Sequence, residues 1–366
     1  MNPGSGVAGT IERLLESARI PGCSLAVIGR DGVVWSHGFG FADVASKRPV
    51  TESTVFHLFS GTKLFTATAI LQLVEGNQLD LETSVSTYLP QLPLARDITL
   101  RALLSHASGL KETLRGFLAV YFAGEDPPTT EQALAGYDLR SRGSPSGKAR
   151  YRNVNYAILG EVVSRVSGLP YRTFVRQRIL SPLSSDAGFD VSDFNLDDLA
   201  TGYIARWDPT RALLRLLDPS TSRRIYRGRT KDGLVALEHF NLVTSAIGGL
   251  VGSVSSFAPF IRSQLTDGSP LLSPKSVQSM QAMVARGRAG IESKVGVGLG
   301  WKIGLVGDCR FLNHEGGGAG FTSELRLYPD EGLGMVVLMN RSSMSGTMRV
   351  AHTICETIRG SWESFA

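Results

Sequence analysis

The sequence predicts an α/β protein of the α+β type, in which a mainly antiparallel sheet is flanked by helices and carries an inserted all-helical lobe. Three observations lead there. Short apolar or alternating runs bounded by turn residues cluster at both ends of the 366-residue chain. Helix-period patterns fill the middle. Amphipathic stretches stand at the two termini, where they can cover one face of a sheet assembled from both ends. A chain of this length outgrows a single core, so two closely packed lobes are expected. The sheet domain is assigned to residues 1–64 and 243–366, and the helical domain to residues 65–242.

Residues 11–18 repeat apolar side chains at helical spacing. Two apolar runs, 23–28 and 32–37, are separated by Gly29-Arg30-Asp31-Gly32, a hairpin signal. Helical patterns follow at 64–76, 100–105, 130–135, 156–167 and 171–179. The fourth ends on Gly168 and Pro170, residues that respectively favour and enforce a stop. Strand patterns return at 297–305, 310–313, 322–328 and 334–339, and residues 346–358 form a closing helix.

Composition excludes several classes. The chain is 42% hydrophobic and 19% charged, as expected of a globular enzyme. No apolar run reaches the ~18 residues that a membrane span needs. The first nine residues lack a basic n-region, which predicts a cytoplasmic protein; a periplasmic location would require that a leader had been removed. Cys23, Cys309 and Cys355 are scattered, fitting neither a disulfide framework nor a metal knuckle. The net charge of +5 is local: residues 206–231 hold eight Lys/Arg against two Asp, and residues 140–152 hold five basic residues and no acid. With only Trp207 and Tyr226 interleaved, the first cluster reads as a solvated loop and not as a nucleic-acid surface. The second adjoins Tyr151 and reads as a solvated rim with some pull on anionic substrates. Gly38-Phe39-Gly40 and Gly296-Val297-Gly298 lack the helix of a dinucleotide fingerprint, and the histidines lack metal-ligand spacing. No Gly-x-Ser-x-Gly elbow occurs. No cofactor is called for.

The chemistry concentrates at Ser60-Gly61-Thr62-Lys63, where an apolar helix pattern begins. A helix start offers unpaired N–H groups and the positive end of the macrodipole, so a serine there sits beside donors for an oxyanion. The lysine three residues on shares its helical face. If burial or a second cation lowers its pKa, that lysine can take the serine proton. Tyr151-Arg152-Asn153 follows a Gly/Ser/Pro-rich loop and precedes the fourth helix; a phenol there can shuttle a proton and an amide can orient a lysine and a carbonyl. His314-Glu315-Gly316-Gly317-Gly318 leads into the strand at 322–328, and glycines beside a strand let a substrate backbone come close. His106, in Leu103-Leu104-Ser105-His106-Ala107-Ser108-Gly109-Leu110, is read as structural.

These three elements, in order and roughly 90 and 160 residues apart, resemble the penicillin-recognising serine hydrolases. That superfamily includes class C β-lactamases, D-alanyl-D-alanine carboxypeptidases and family VIII carboxylesterases. Ile20-Pro21-Gly22, Gly248-Gly249-Leu250 and Met339-Asn340 also match, so the resemblance runs over residues 20–340. It implies a β-lactamase/transpeptidase-like fold, with Ser60 as nucleophile, Lys63 and Tyr151 as its proton relay, and Asn153 orienting Lys63 and substrate. The Ser60 and Gly317 N–H groups are implied as the oxyanion hole, with Gly316 and His314 lining the substrate site. Two positions depart from the pattern: Arg152 stands where serine is common, and His314 where many β-lactamases have lysine. An ordinary histidine is cationic only near or below pH 6.5, so a substrate carboxylate finds less charge here.

The expected function is a serine hydrolase acting through an acyl-enzyme, a carboxylesterase for short-chain acyl esters. Its expected partner is a small-molecule acyl substrate, an ester, with β-lactams and D-amino-acid peptides as alternatives. Acylation without turnover, as in a penicillin-binding sensor, and acyl transfer to a non-water acceptor use the same residues. Oligomeric state is not legible.

Overall fold

The computed structural model describes residues 5–113, 148–208, 225–229, 233–287, 294–342 and 346–362, with single positions between 134 and 140. Among these residues, nine strands form one antiparallel sheet. We label them β1 (Gly22–Ile28), β2 (Val33–Asp43), β3 (Arg48–Pro49), β4 (Ala285–Arg286), β5 (Lys294–Val297), β6 (Lys302–Val306), β7 (Cys309–Gly318), β8 (Phe321–Tyr328) and β9 (Leu333–Met339). Their order is β3-β2-β1-β9-β8-β7-β6-β5-β4, so the N-terminal hairpin joins the C-terminal meander where β1 pairs with β9. The turn expected at residues 29–32 is present, with the Gly29 N–H donating to the Gly32 carbonyl at 2.8 Å.

The central strands read as unbroken apolar runs because both sheet faces are covered. Leu25 and Val27 of β1, with Met335, Val337 and Met339 of β9, pack under helix α1 (Ser5–Ser17) and the last helix (Gly346–Arg359). Their neighbours Ala26, Ile28, Val336 and Leu338 point to the other face, into the large core. There they meet Phe257, Phe260 and Ile261 of the helix Val254–Leu265 and the buried helix α2 (Thr62–Glu75). Eleven of the fourteen residues of α2 are buried, which is why its sequence shows apolar and small residues all round and no clean stripe.

Residues 297–305 form two strands where one was expected. The chain reverses at residues 298–301, with the Gly298 N–H donating to the Trp301 carbonyl at 2.8 Å and Gly300 at φ +96°. The strand expected at 310–313 runs on to Gly318: β6 pairs with it only as far as Asn313, and β8 alone supplies the ladder over Gly316 to Gly318. Among the described residues of 65–242, helices and loops are joined by three short strands: Tyr203–Ala205, Tyr226–Arg229 and Leu234–Leu237 form a small second sheet with Arg341–Ser342. The helix expected at 130–135 falls almost wholly outside the described residues, as do most of 140–152 and 206–231. Among the described residues no helix is long and apolar enough to cross a membrane.

Candidate active site

Ser60 lies in a single tight turn, Phe59–Gly61, directly before α2. Phe59 holds φ +47°, a left-handed conformation that costs a non-glycine residue about 1–2 kcal/mol. Its surroundings fix it there: the Phe59 ring packs 5.5 Å from His57, and it occupies the space that a side chain on Gly318 would need. Ser60 itself is only half-buried.

Lys63, one turn into α2, is fully buried, with Nζ 3.1 Å from Ser60 Oγ. It also donates to the Ile247 carbonyl at 2.9 Å. Burial, reinforced by the positive charge of Lys302, holds this amine well below the usual lysine range, against an opposing pull from Glu112. The condition that a base lysine must meet is therefore satisfied by both means, desolvation and a second cation.

Tyr151 donates its hydroxyl to Ser60 Oγ at 2.8 Å. Its ring is flanked by Lys63 Nζ at 5.1 Å and Lys302 Nζ at 4.9 Å from the centroid. His106 packs 4.5 Å from it, centroid to centroid. The structural reading of His106 holds in a specific form: its Nδ1 accepts the Arg152 N–H at 3.2 Å, next to Asn155, and so shapes the turn that aims Tyr151. Arg152 turns back on the main chain, donating to the Leu110 and Tyr151 carbonyls.

Asn153 opens the helix Asn153–Ser167, and its N–H donates to Glu112 Oε2 at 2.7 Å. The expected bond from Asn153 to Lys63 is not made among the described residues; Ile247 holds the lysine instead. Asn153 Oδ1 is buried with no protein partner there.

Gly316 and Gly317 lie within β7, opposite Ser323 and Thr322 of β8. A β-carbon on Gly316 would stand 2.2 Å from the Leu58 carbonyl and 3.1 Å from Ser60 N, so only glycine lets β7 dock on the turn before the serine. Ser323 Oγ pins the same carbonyl at 2.6 Å. His314 is fully buried, with Nδ1 3.0 Å from the Glu315 carbonyl and no protein partner on Nε2 among the described residues. Burial, then Lys302 and Lys63, push its pKa well below the ordinary value. The expectation that His314 gains charge near pH 6.5 is thus corrected: it stays neutral well below that pH, because it is buried and because Lys302 and Lys63 lie nearby.

Lys302 and Glu112 were not singled out from the sequence, and Glu315 stood within the His314–Gly318 stretch without a role. No local motif marks Lys302 or Glu112; hairpin pairing and loop placement bring them here.

The chain belongs to the Beta-lactamase family, whose model matches residues 7–353. It is 34% identical over 166 residues to the putative penicillin-binding protein PbpX of Bacillus subtilis, covering 45% of this chain and 40% of that protein. It is 25% identical over 341 residues to protein flp of Staphylococcus aureus, covering 91% of this chain and 62% of that protein. The chain thus spans less than two thirds of either relative. The D-amino acid amidase of Ochrobactrum anthropi SV3, solved with L-phenylalanine, superposes with a TM-score of 0.81 at 23% identity, covering 97% of this chain and 99% of that one. That likeness bears on the fold.

Proposed function

We propose that this protein hydrolyses short-chain acyl esters through an acyl-enzyme on Ser60. The observation that carries the reading is the contact of one hydroxyl with two proton-handling groups, Lys63 at 3.1 Å and Tyr151 at 2.8 Å. A buried lysine with a depressed pKa accepts the serine proton as Oγ attacks the acyl carbon. The N–H groups of Ser60 and Gly317 hold the oxyanion, a role supported by the close docking of Gly316 against Ser60 N. Tyr151 passes the proton to the leaving alkoxide, and the relay then activates water against the ester of Ser60. Asn153 and His314, each with a buried polar atom lacking a protein partner among the described residues, contact the substrate.

The preference for neutral esters rests on His314. An uncharged imidazole offers a substrate carboxylate one hydrogen bond and no full charge. Turnover of p-nitrophenyl butyrate, a chromogenic cephalosporin, D-alanyl-D-alanine peptides and D-amino acid amides tests the assignment. Ester kcat/KM should lead at pH 8, and Ser60→Ala should lower kcat at least ~10³-fold. Faster cephalosporin, peptide or amide hydrolysis overturns the ester preference. A product burst without steady turnover marks a sensor instead.

A further inference from the structure

Lys302 and Glu315 take no part in the steps above, yet both are buried beside them. Their side chains are 7% and 4% exposed, and Nζ stands 2.6 Å from Oε2. Lys302 of β6 faces Asn313 of β7 in the sheet register, and Glu315 is two residues on, hence on the same face. An ion pair buried this way is a poor source of stability, since the desolvation of both charges offsets their attraction. Its location is informative. Lys302 Nζ lies 4.9 Å from the centroid of the Tyr151 ring, and Lys63 Nζ lies 5.1 Å from the same centroid. Two amines therefore converge on the phenol whose hydroxyl touches Ser60.

We propose that Lys302, held by Glu315, is a positioning residue of the Ser60 relay: its ammonium opposes a second positive charge on Lys63 and so favours the amine that can accept the serine proton. In effect, the cation missing from position 314 is supplied from the neighbouring strand. Among the described residues, the other charged or titratable groups around the relay are Glu112, which opposes Lys302 at Lys63, Tyr156, whose ring centroid lies 5.7 Å from Lys63 Nζ, and His106, His314 and Arg152 near Tyr151. Both histidines are held neutral by burial first and by the lysines next, and Lys302 is the positive charge that bears on Lys63, His106 and His314 alike.

The inference rests on Ser60 being the nucleophile, so the test reads Ser60 directly. A p-nitrophenyl alkylphosphonate forms an Oγ–P bond and expels p-nitrophenolate as the serine proton passes to the relay; intact mass follows the adduct. In the wild type the labelling rate rises with pH along an acid limb. Lys302→Met/Glu315→Gln removes the pair without leaving a lone carboxylate. It should move the midpoint of that limb up by about one pH unit, the usual effect of deleting a nearby charge. Lys302→Arg, which keeps the charge, should leave the midpoint near its wild-type place. If the double variant does not fold, Lys302→Gln is read by the same limb. A limb that stays put while the rate falls evenly at every pH overturns the proposal and leaves Lys302 a packing residue. A wild type unlabelled on Ser60 at any pH removes the nucleophile assignment and this inference together.

Discussion

The carbonyl of Leu58 sits where a side chain on Gly316 would begin, 2.2 Å from the position of a β-carbon. This one contact ties β7 to the turn that carries Ser60. Gly316→Ala must push the two apart, since the obstructing atom is backbone. Overpacking of this kind costs about 1–3 kcal/mol, and a displacement approaching 1 Å at the serine costs about 10²-fold in rate. Urea unfolding and kcat measured together should show both losses; an alanine variant with full kcat would show that the docking does not position Ser60.

Lys63 and Tyr151 contact the same hydroxyl. Acting as one relay, they should not lose activity additively: Lys63→Ala/Tyr151→Phe should be about as slow as the worse single variant. Losses that multiply in a full kinetic cycle would mean that the two act independently.

His314 remains neutral well below its ordinary pKa. The ratio of cephalosporin to ester kcat/KM should therefore stay within about twofold between pH 8 and pH 6, where an exposed histidine would change its charge. A tenfold climb of that ratio on acidification would mean that His314 does titrate in this range.

Stability should fall in mild acid for a related reason. His57, stacked on Phe240 at 4.5 Å, is pushed down to about 3, chiefly by burial, and His106 and His314 are also lowered. For each, the unfolded chain takes up a proton below about pH 6.5 that the folded protein refuses. Stability is then fully present above that pH and is lost as the pH falls toward the folded value, at up to about 1.4 kcal/mol per pH unit for each histidine. Urea unfolding at pH 7.5 and 5.5 should show the decline, and His57→Phe should make it shallower. Equal slopes in the variant and the wild type would exclude His57 as a contributor.

The sequence by itself determined the parts whose signals are local. The serine–lysine spacing is set by one helical turn. Gly29 to Gly32 forms a hairpin because the turn residues demand it, and β1 and β9 are apolar because both sheet faces are covered. The placing of Tyr151 near Ser60 was legible only through the order of three motifs, which resemblance supplied. Tertiary structure decided what depends on neighbours distant in the chain. Ile247, and not Asn153, holds Lys63, because the helix at Ser245–Gly248 ends with a carbonyl facing that amine. His314 is neutral, because it is buried away from water and because Lys302 arrives from the next strand. A pKa is a sum over everything nearby, and a sequence shows only what is adjacent along the chain.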